Sequence, residues 1–117
     1  MKNKILIIGA GSWGTALANV LAKENKVVNI WTRNLRISQE INEKNSNKKY
    51  FGKIKLQKNL HAISGAFDIS EYSYIFYVLP AGQFEFFIKN YFNTRKINNF
   101  IICSKGLSTN GQLISVV

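Results

Sequence analysis

The chain has 117 residues, 46% of them hydrophobic, and a net charge of +10 from 16 Lys and Arg against 6 Asp and Glu. That is one modest domain, long enough to bury a core and, at 13% aromatic, too apolar for a disordered chain. Cys103 is the only cysteine and His61 the only histidine, which excludes a disulfide framework and a His/Cys metal cluster.

The predicted elements alternate. Residues 5–8, Ile-Leu-Ile-Ile, form a continuous apolar run bounded by glycine, the pattern of a strand buried on both faces of a parallel sheet. Lys2 and Lys4 before this run imitate a secretory leader, but Gly9, Gly11 and Gly14 break the apolar stretch too early for one. No segment approaches the roughly 18 apolar residues of a membrane span. A soluble, reducing, cytoplasmic setting is the expectation. From Ser12 to Glu24 the residues Trp13, Ala16, Leu17, Val20 and Leu21 recur at helical spacing and predict a helix packed on the strand through that stripe. A second strand over 27–31 and a second helix over 35–44, through Ile37 and Ile41, follow.

Residues 45–59 are polar and predict a long excursion anchored only by Tyr50, Phe51, Ile54 and Leu56. Order returns at 60–64. Residues 74–79, β-branched and aromatic, predict a strand stopping at Pro80, the only proline, with a helix after it that buries Phe84, Phe87, Ile88 and Tyr91. Residues 100–103 predict another buried strand, and 112–117 the start of a helix. Apolar strands alternating with amphipathic helices imply a parallel α/β sheet with right-handed crossovers.

The charge needs a separate reading. Lysine, asparagine and isoleucine number 13, 14 and 15 and run through every segment, as a compositional background does. The exception is 44–58, with six lysines and no acid: a solvated loop, or a contact for phosphate or an acidic partner.

Gly9-Ala10-Gly11-Ser12-Trp13-Gly14 fits G-x-G-x-x-G, follows a buried strand and opens a helix, the context in which that spacing binds a dinucleotide. Gly9 allows the tight turn, Gly11 lets a pyrophosphate reach the backbone, and Gly14 lets helix and strand approach. Amides at the helix start and the positive end of its dipole then hold the phosphates. An NAD site places an acid at the end of the second strand; here Thr32, Arg33 and Asn34 stand there instead. An arginine in that place suits a 2′-phosphate, which favours NADP(H) or dual use over NAD alone. Ligands of open α/β sheets lie beyond the carboxyl ends of the strands. Lys105, just past the strand at 100–103 and flanked by small residues, is either a solvated lysine or a contact for an anionic or carbonyl-bearing substrate. Cys103 ends an apolar strand with no base partner in view, so it is not read as a nucleophile.

At these residues the chain resembles the bacterial NAD(P)-dependent glycerol-3-phosphate dehydrogenases. The run from Gly9 to Ala18 is similar to that family's phosphate loop, Trp31-Thr32-Arg33-Asn34 to its adenosine-binding turn, and Ser104-Lys105-Gly106-Leu107 to its Ser-Lys-Gly segment. The 50–56 loop lacks the family's usual proline, and Gln83 lies one residue further past Pro80 than is usual. The resemblance implies a Rossmann-type doubly wound, mainly parallel sheet, incomplete at its C-terminal end, with residues 1–117 as the NAD(P)-binding domain of a two-domain enzyme. It implies that Ser12, Trp13, Arg33 and Tyr50 contact the cofactor and that Lys105 touches both cofactor and substrate. The implied reaction is hydride transfer between NAD(P)H and dihydroxyacetone phosphate, giving sn-glycerol 3-phosphate for phospholipid synthesis. The general acid/base lysine and most substrate contacts are expected in a helical domain outside this chain, which is therefore expected to have little activity alone. No nucleic acid, metal or membrane partner is expected. Two further readings stay open: a non-catalytic nucleotide or polyanion-binding module using 44–58, and a remnant that no longer folds because apolar surface is left uncovered.

Overall fold

The apolar run near the amino terminus is the central strand of a parallel sheet. A computed structural model describes residues 4–24, 27–79, 81–83, 86, 89 and 100–103. Among these, five strands, β1 (Lys4–Ile8), β2 (Val27–Trp31), β3 (Leu60–Ile63), β4 (Tyr74–Tyr77) and β5 (Phe100–Ile102), lie in the order β3-β2-β1-β4-β5. All four pairings are parallel. This is the first five strands of the Rossmann order, and it reverses direction between β1 and β4, the place where such sheets open a crevice.

Both faces of the sheet are covered, which is why β1 is apolar at consecutive positions rather than at every second one. Ile5 and Ile7 join Val28, Ile30, Leu60 and Ala62 under helices α1 (Ser12–Ala22) and α2 (Leu35–Lys44). Leu6 and Ile8 join Trp31, Ile75, Tyr77, Phe100 and Ile102 on the other face, closed by a 3₁₀ turn at Ile69–Glu71 that contributes Ile69. The edge strand β3 is held by a side chain: Asn42 of α2 donates to the Ala62 carbonyl at 3.0 Å and accepts from the Ala62 amide at 2.8 Å.

Two expectations are corrected. The face of α1 turned to the sheet is Gly14, Thr15, Ala18, Asn19 and Ala22, while Trp13 and Val20 stay 55% and 57% exposed. Leu17 and Leu21 pack at its margin. The helix lies so close to the sheet that its contact face is chosen for small size, and the larger apolar residues are displaced sideways. The excursion at 45–59 also differs. It contains a short helix, α3 (Lys48–Phe51), and its anchors are Leu56, Phe51 and two polar residues, Ser46 and Asn47, whereas Ile54 is exposed. The six lysines of 44–58 are all exposed, as expected. Pro80, the stripe Phe84, Phe87, Ile88 and Tyr91, the segment 104–107 and the helix expected at 112–117 lie outside the described residues.

Candidate functional site

The chain turns sharply where β1 ends. Gly9 has φ +121°, a conformation costly for any residue with a Cβ, and its amide donates to the Trp31 carbonyl at 2.9 Å. A Cβ at Gly14 would run into the Gly9 carbonyl oxygen, so the first turn of α1 rests directly on the end of β1. Gly11 is different. Its backbone is extended, and a Cβ there would meet nothing within 4 Å, so the main chain is bare toward the outside. Gly11 is also the N-cap of α1; no side chain caps the helix and no acid sits in its first turn. The first-turn amides and the positive end of the helix dipole are thus left for an anionic ligand.

Beside this loop opens a cleft of about 370 Å³, within the range of small-molecule sites. Its floor is Gly9, Ala10 and Gly11 after β1, and Val78 and Leu79 after β4, so it sits at the carboxyl ends of the strands flanking the reversal of strand order. One wall is the turn after β2, Trp31 to Asn34, with Ile37 of α2; Tyr50 of α3 and Gln83 of a 3₁₀ turn at Ala81–Gln83 complete the lining. Thr32, where an acid would read a ribose, is buried, and its hydroxyl accepts the Asn34 amide at 3.1 Å. Asn34 caps α2 by accepting from the amides of Arg36 and Ile37 at 3.0 and 3.2 Å. Between them Arg33 is exposed, and its guanidinium donates to Gln83 Oε1 at 3.1 Å across the cleft mouth. Among the described residues no acid lines the cleft.

Of the residues expected to form the site, Gly9, Gly11, Arg33 and Tyr50 line this one cleft. Gly14 lies buried beneath it, Ser12 and Trp13 stand exposed on the first turn of α1 outside its walls, and Lys105 falls outside the described residues. The sequence reading missed Gln83 as a partner of Arg33, and it missed Asn47 and Thr15, which hold the loop from below. Their polarity in a polar segment, or on a helix judged by its apolar stripe, gave no signal. Elsewhere, Cys103 is half-buried and burial pushes its thiol up, which disfavours the thiolate a nucleophile requires. Among the described residues no cluster of His, Cys, Asp and Glu is placed to hold a metal ion, and no helix is long and apolar enough to cross a membrane. A second recess of about 680 Å³ lies among Glu43, Lys44, Lys48, Lys53 and Lys55, and its lining shares no residue with the glycine loop.

Comparison with known proteins gives a consistent result. A family model described as NAD-dependent glycerol-3-phosphate dehydrogenase N-terminus matches residues 4–117. A glycerol-3-phosphate dehydrogenase [NAD(P)+] of Orientia tsutsugamushi is 43% identical over 97% of this chain and 36% of its own length. One of Neorickettsia sennetsu is 33% identical over 93% of this chain and 33% of its own length. The chain thus spans about a third of the length of these curated relatives. Among solved structures, glycerol-3-phosphate dehydrogenase from Coxiella burnetii superposes with a TM-score of 0.78 at 27% identity, covering 96% of this chain and 35% of that one. A D-mandelate dehydrogenase solved with NADH, at 21% identity and a TM-score of 0.63, shares the fold.

Proposed function

Because the chain belongs to the NAD-dependent glycerol-3-phosphate dehydrogenase N-terminus family, we propose that its cleft binds NADP(H) or NAD(H) and that it serves the interconversion of dihydroxyacetone phosphate and sn-glycerol 3-phosphate. The observation that carries the reading is the bare loop: a glycine whose Cβ position is open, at the uncapped start of a helix, at the reversal point of a parallel sheet. A diphosphate requires that combination, namely close approach to the backbone and unshared amides. When bound, the nicotinamide cofactor supplies or accepts a hydride. The chain's own part is to hold it. Gly11 and the first turn of α1, with Ser12 and Trp13, take the diphosphate, and Tyr50 flanks the cleft.

Arg33 carries the preference between cofactors. Its guanidinium stands on the cleft wall, Thr32 replaces the acid that would bind a ribose 2′-hydroxyl, and among the described residues no acid lines the walls to repel a 2′-phosphate. These features support NADP(H) as the favoured cofactor. Lys105, two residues past Cys103 in the sequence, is proposed to meet substrate and nicotinamide together. Residues 1–117 constitute the cofactor-binding part, and the proton for the reduced carbonyl oxygen comes from outside it. Substrate must be held within about 3–3.5 Å of the nicotinamide for transfer.

The test is a titration of the chain with NADPH and with NADH, followed by nicotinamide fluorescence and by melting temperature. Both ligands raise the melting temperature, NADPH more so, and Arg33→Ala weakens NADPH about tenfold more than NADH. No response to either at about millimolar concentration overturns the proposal. Binding that vanishes with salt and tracks the 44–58 lysines instead of Gly11 would favour the polyanion reading.

A further inference from the structure

Asn47 is out of place for its surroundings. It belongs to a polar excursion whose lysines are all exposed, Lys48 and Lys49 directly following it, yet it is 0% exposed. Its Nδ2 donates to the Ala10 carbonyl at 3.0 Å and to the Thr15 hydroxyl at 2.9 Å, and the Thr15 hydroxyl, itself 0% exposed, donates to the same Ala10 carbonyl at 3.2 Å. Three residues from the excursion, the loop and α1 therefore meet on a single main-chain oxygen in the middle of the glycine motif.

That oxygen belongs to the peptide joining Ala10 to Gly11. No peptide among the described residues is cis, and in a planar trans peptide the carbonyl and the N–H point in opposite directions. With its oxygen drawn inward onto two buried donors, this peptide turns the Gly11 N–H outward, to the side on which Gly11 lines the cleft. Released from the clasp, the same peptide is able to rotate and present a carbonyl oxygen, which repels an anion where the amide attracts one. A second observation separates this from ordinary packing. Among the described residues Asn47 Oδ1 is buried with no hydrogen-bond partner. An apolar side chain of similar volume would fill the space without burying an unpaired oxygen, so the position is held for its two N–H donors and not for its bulk.

We propose that Asn47, acting with Thr15, is a positioning residue for the cofactor's diphosphate: it fixes the Ala10–Gly11 peptide so that the Gly11 amide faces the ligand. The proposal rests on the cofactor reading above and is tested separately from it. The chain is titrated by calorimetry with NADPH, with ADP and with adenosine 2′-phosphate, the last lacking a diphosphate. Asn47→Leu, which keeps the branched shape and heavy-atom count and removes both donors, weakens NADPH and ADP about tenfold and leaves adenosine 2′-phosphate within about twofold; Thr15→Val gives a smaller loss of the same selectivity. Equal affinities in wild type and Asn47→Leu overturn the proposal, as does a parallel loss for all three ligands, which marks a structural role alone. A wild-type chain that binds neither NADPH nor ADP removes the cofactor reading, and this proposal with it. Where the variants do not fold, the wild type decides by amide NMR. On ADP binding the Gly11 amide proton moves downfield, and on adenosine 2′-phosphate it stays. A Gly11 amide unmoved while ADP saturates other resonances overturns the proposal.

Discussion

The glycines of the loop do different work, and one methyl group separates them. At Gly14 a Cβ collides with the Gly9 carbonyl, main chain held directly behind the end of β1. Gly14→Ala is therefore expected to push α1 off the sheet and to cost about 1–3 kcal/mol, read as a lowered denaturation midpoint with unchanged slope. At Gly11 a Cβ enters open space, so Gly11→Ala is expected to leave stability within about 1 kcal/mol, the scale of an N-cap change, while weakening NADPH binding. A pair of variants that lost stability equally, or a Gly11→Ala chain that bound NADPH like wild type, would contradict this division. Both positions stood out in the sequence because spacing and context mark them. The side chains that hold the loop were not. Asn19, Asn29, Asn34, Asn42, Asn47 and Asn59 all make specific hydrogen bonds, to Gln57, Tyr72, the start of α2, Ala62, Ala10 and Ala22. Asparagine is so frequent in this chain that its use in any one place carries no contrast.

At the level of elements, legibility followed size. The strands and α2 were readable from apolar runs and helical spacing, and the bounds of α2 agree with its sequence pattern. The helix α3 has four residues, too few to show a period, and forms because its neighbours supply its cap. Its N-cap residue, Asn47, spends its side chain on the glycine loop, so the Glu40 carboxylate of α2 takes over, accepting from the Lys48 amide at 2.9 Å and from the Ser46 hydroxyl at 2.6 Å. These bonds, the Ser46 hydroxyl first, hold the Glu40 carboxyl below its ordinary 4.5. A carboxyl whose folded-state pKa is depressed lends stability that is complete above its unfolded value and is lost as pH falls through the folded one. Glu40→Gln is accordingly expected to melt below wild type at neutral pH, with the gap closing as acid protonates the wild-type carboxylate. A gap that is the same at every pH would show that the charge is not what matters. The face of α1 was misread for a related reason: periodicity finds apolar residues, whereas a helix seated this close to a sheet selects small ones.

Over the whole molecule the second face of the sheet carries two buried phenols. Burial, above all, pushes Tyr72 and Tyr77 up to about 12; the Glu71 carboxylate adds to the rise at Tyr72, and the hydrogen bond from Asn29 opposes it, as Arg33 does at Tyr77. Because the folded chain holds these protons more tightly than the unfolded one, the stability they report is intact below the ordinary value of 10.0 and is lost as pH rises from there toward 12. Alkaline unfolding followed by circular dichroism is expected to set in as pH rises from 10.0 toward 12, and Tyr77→Phe to flatten the loss. A Tyr77→Phe chain that loses stability with pH as steeply as wild type would show that this phenol does not carry the effect.

The reversal of strand order at β1 and β4 leaves β3 as an outer margin of the sheet, where Asn42 occupies both the amide and the carbonyl of Ala62. A primary amide set in this way imitates one residue of a neighbouring chain. An intruding extended segment finds its matching sites at that register already taken, so the margin resists templating of like strands and the fibrillar growth that begins from exposed margins.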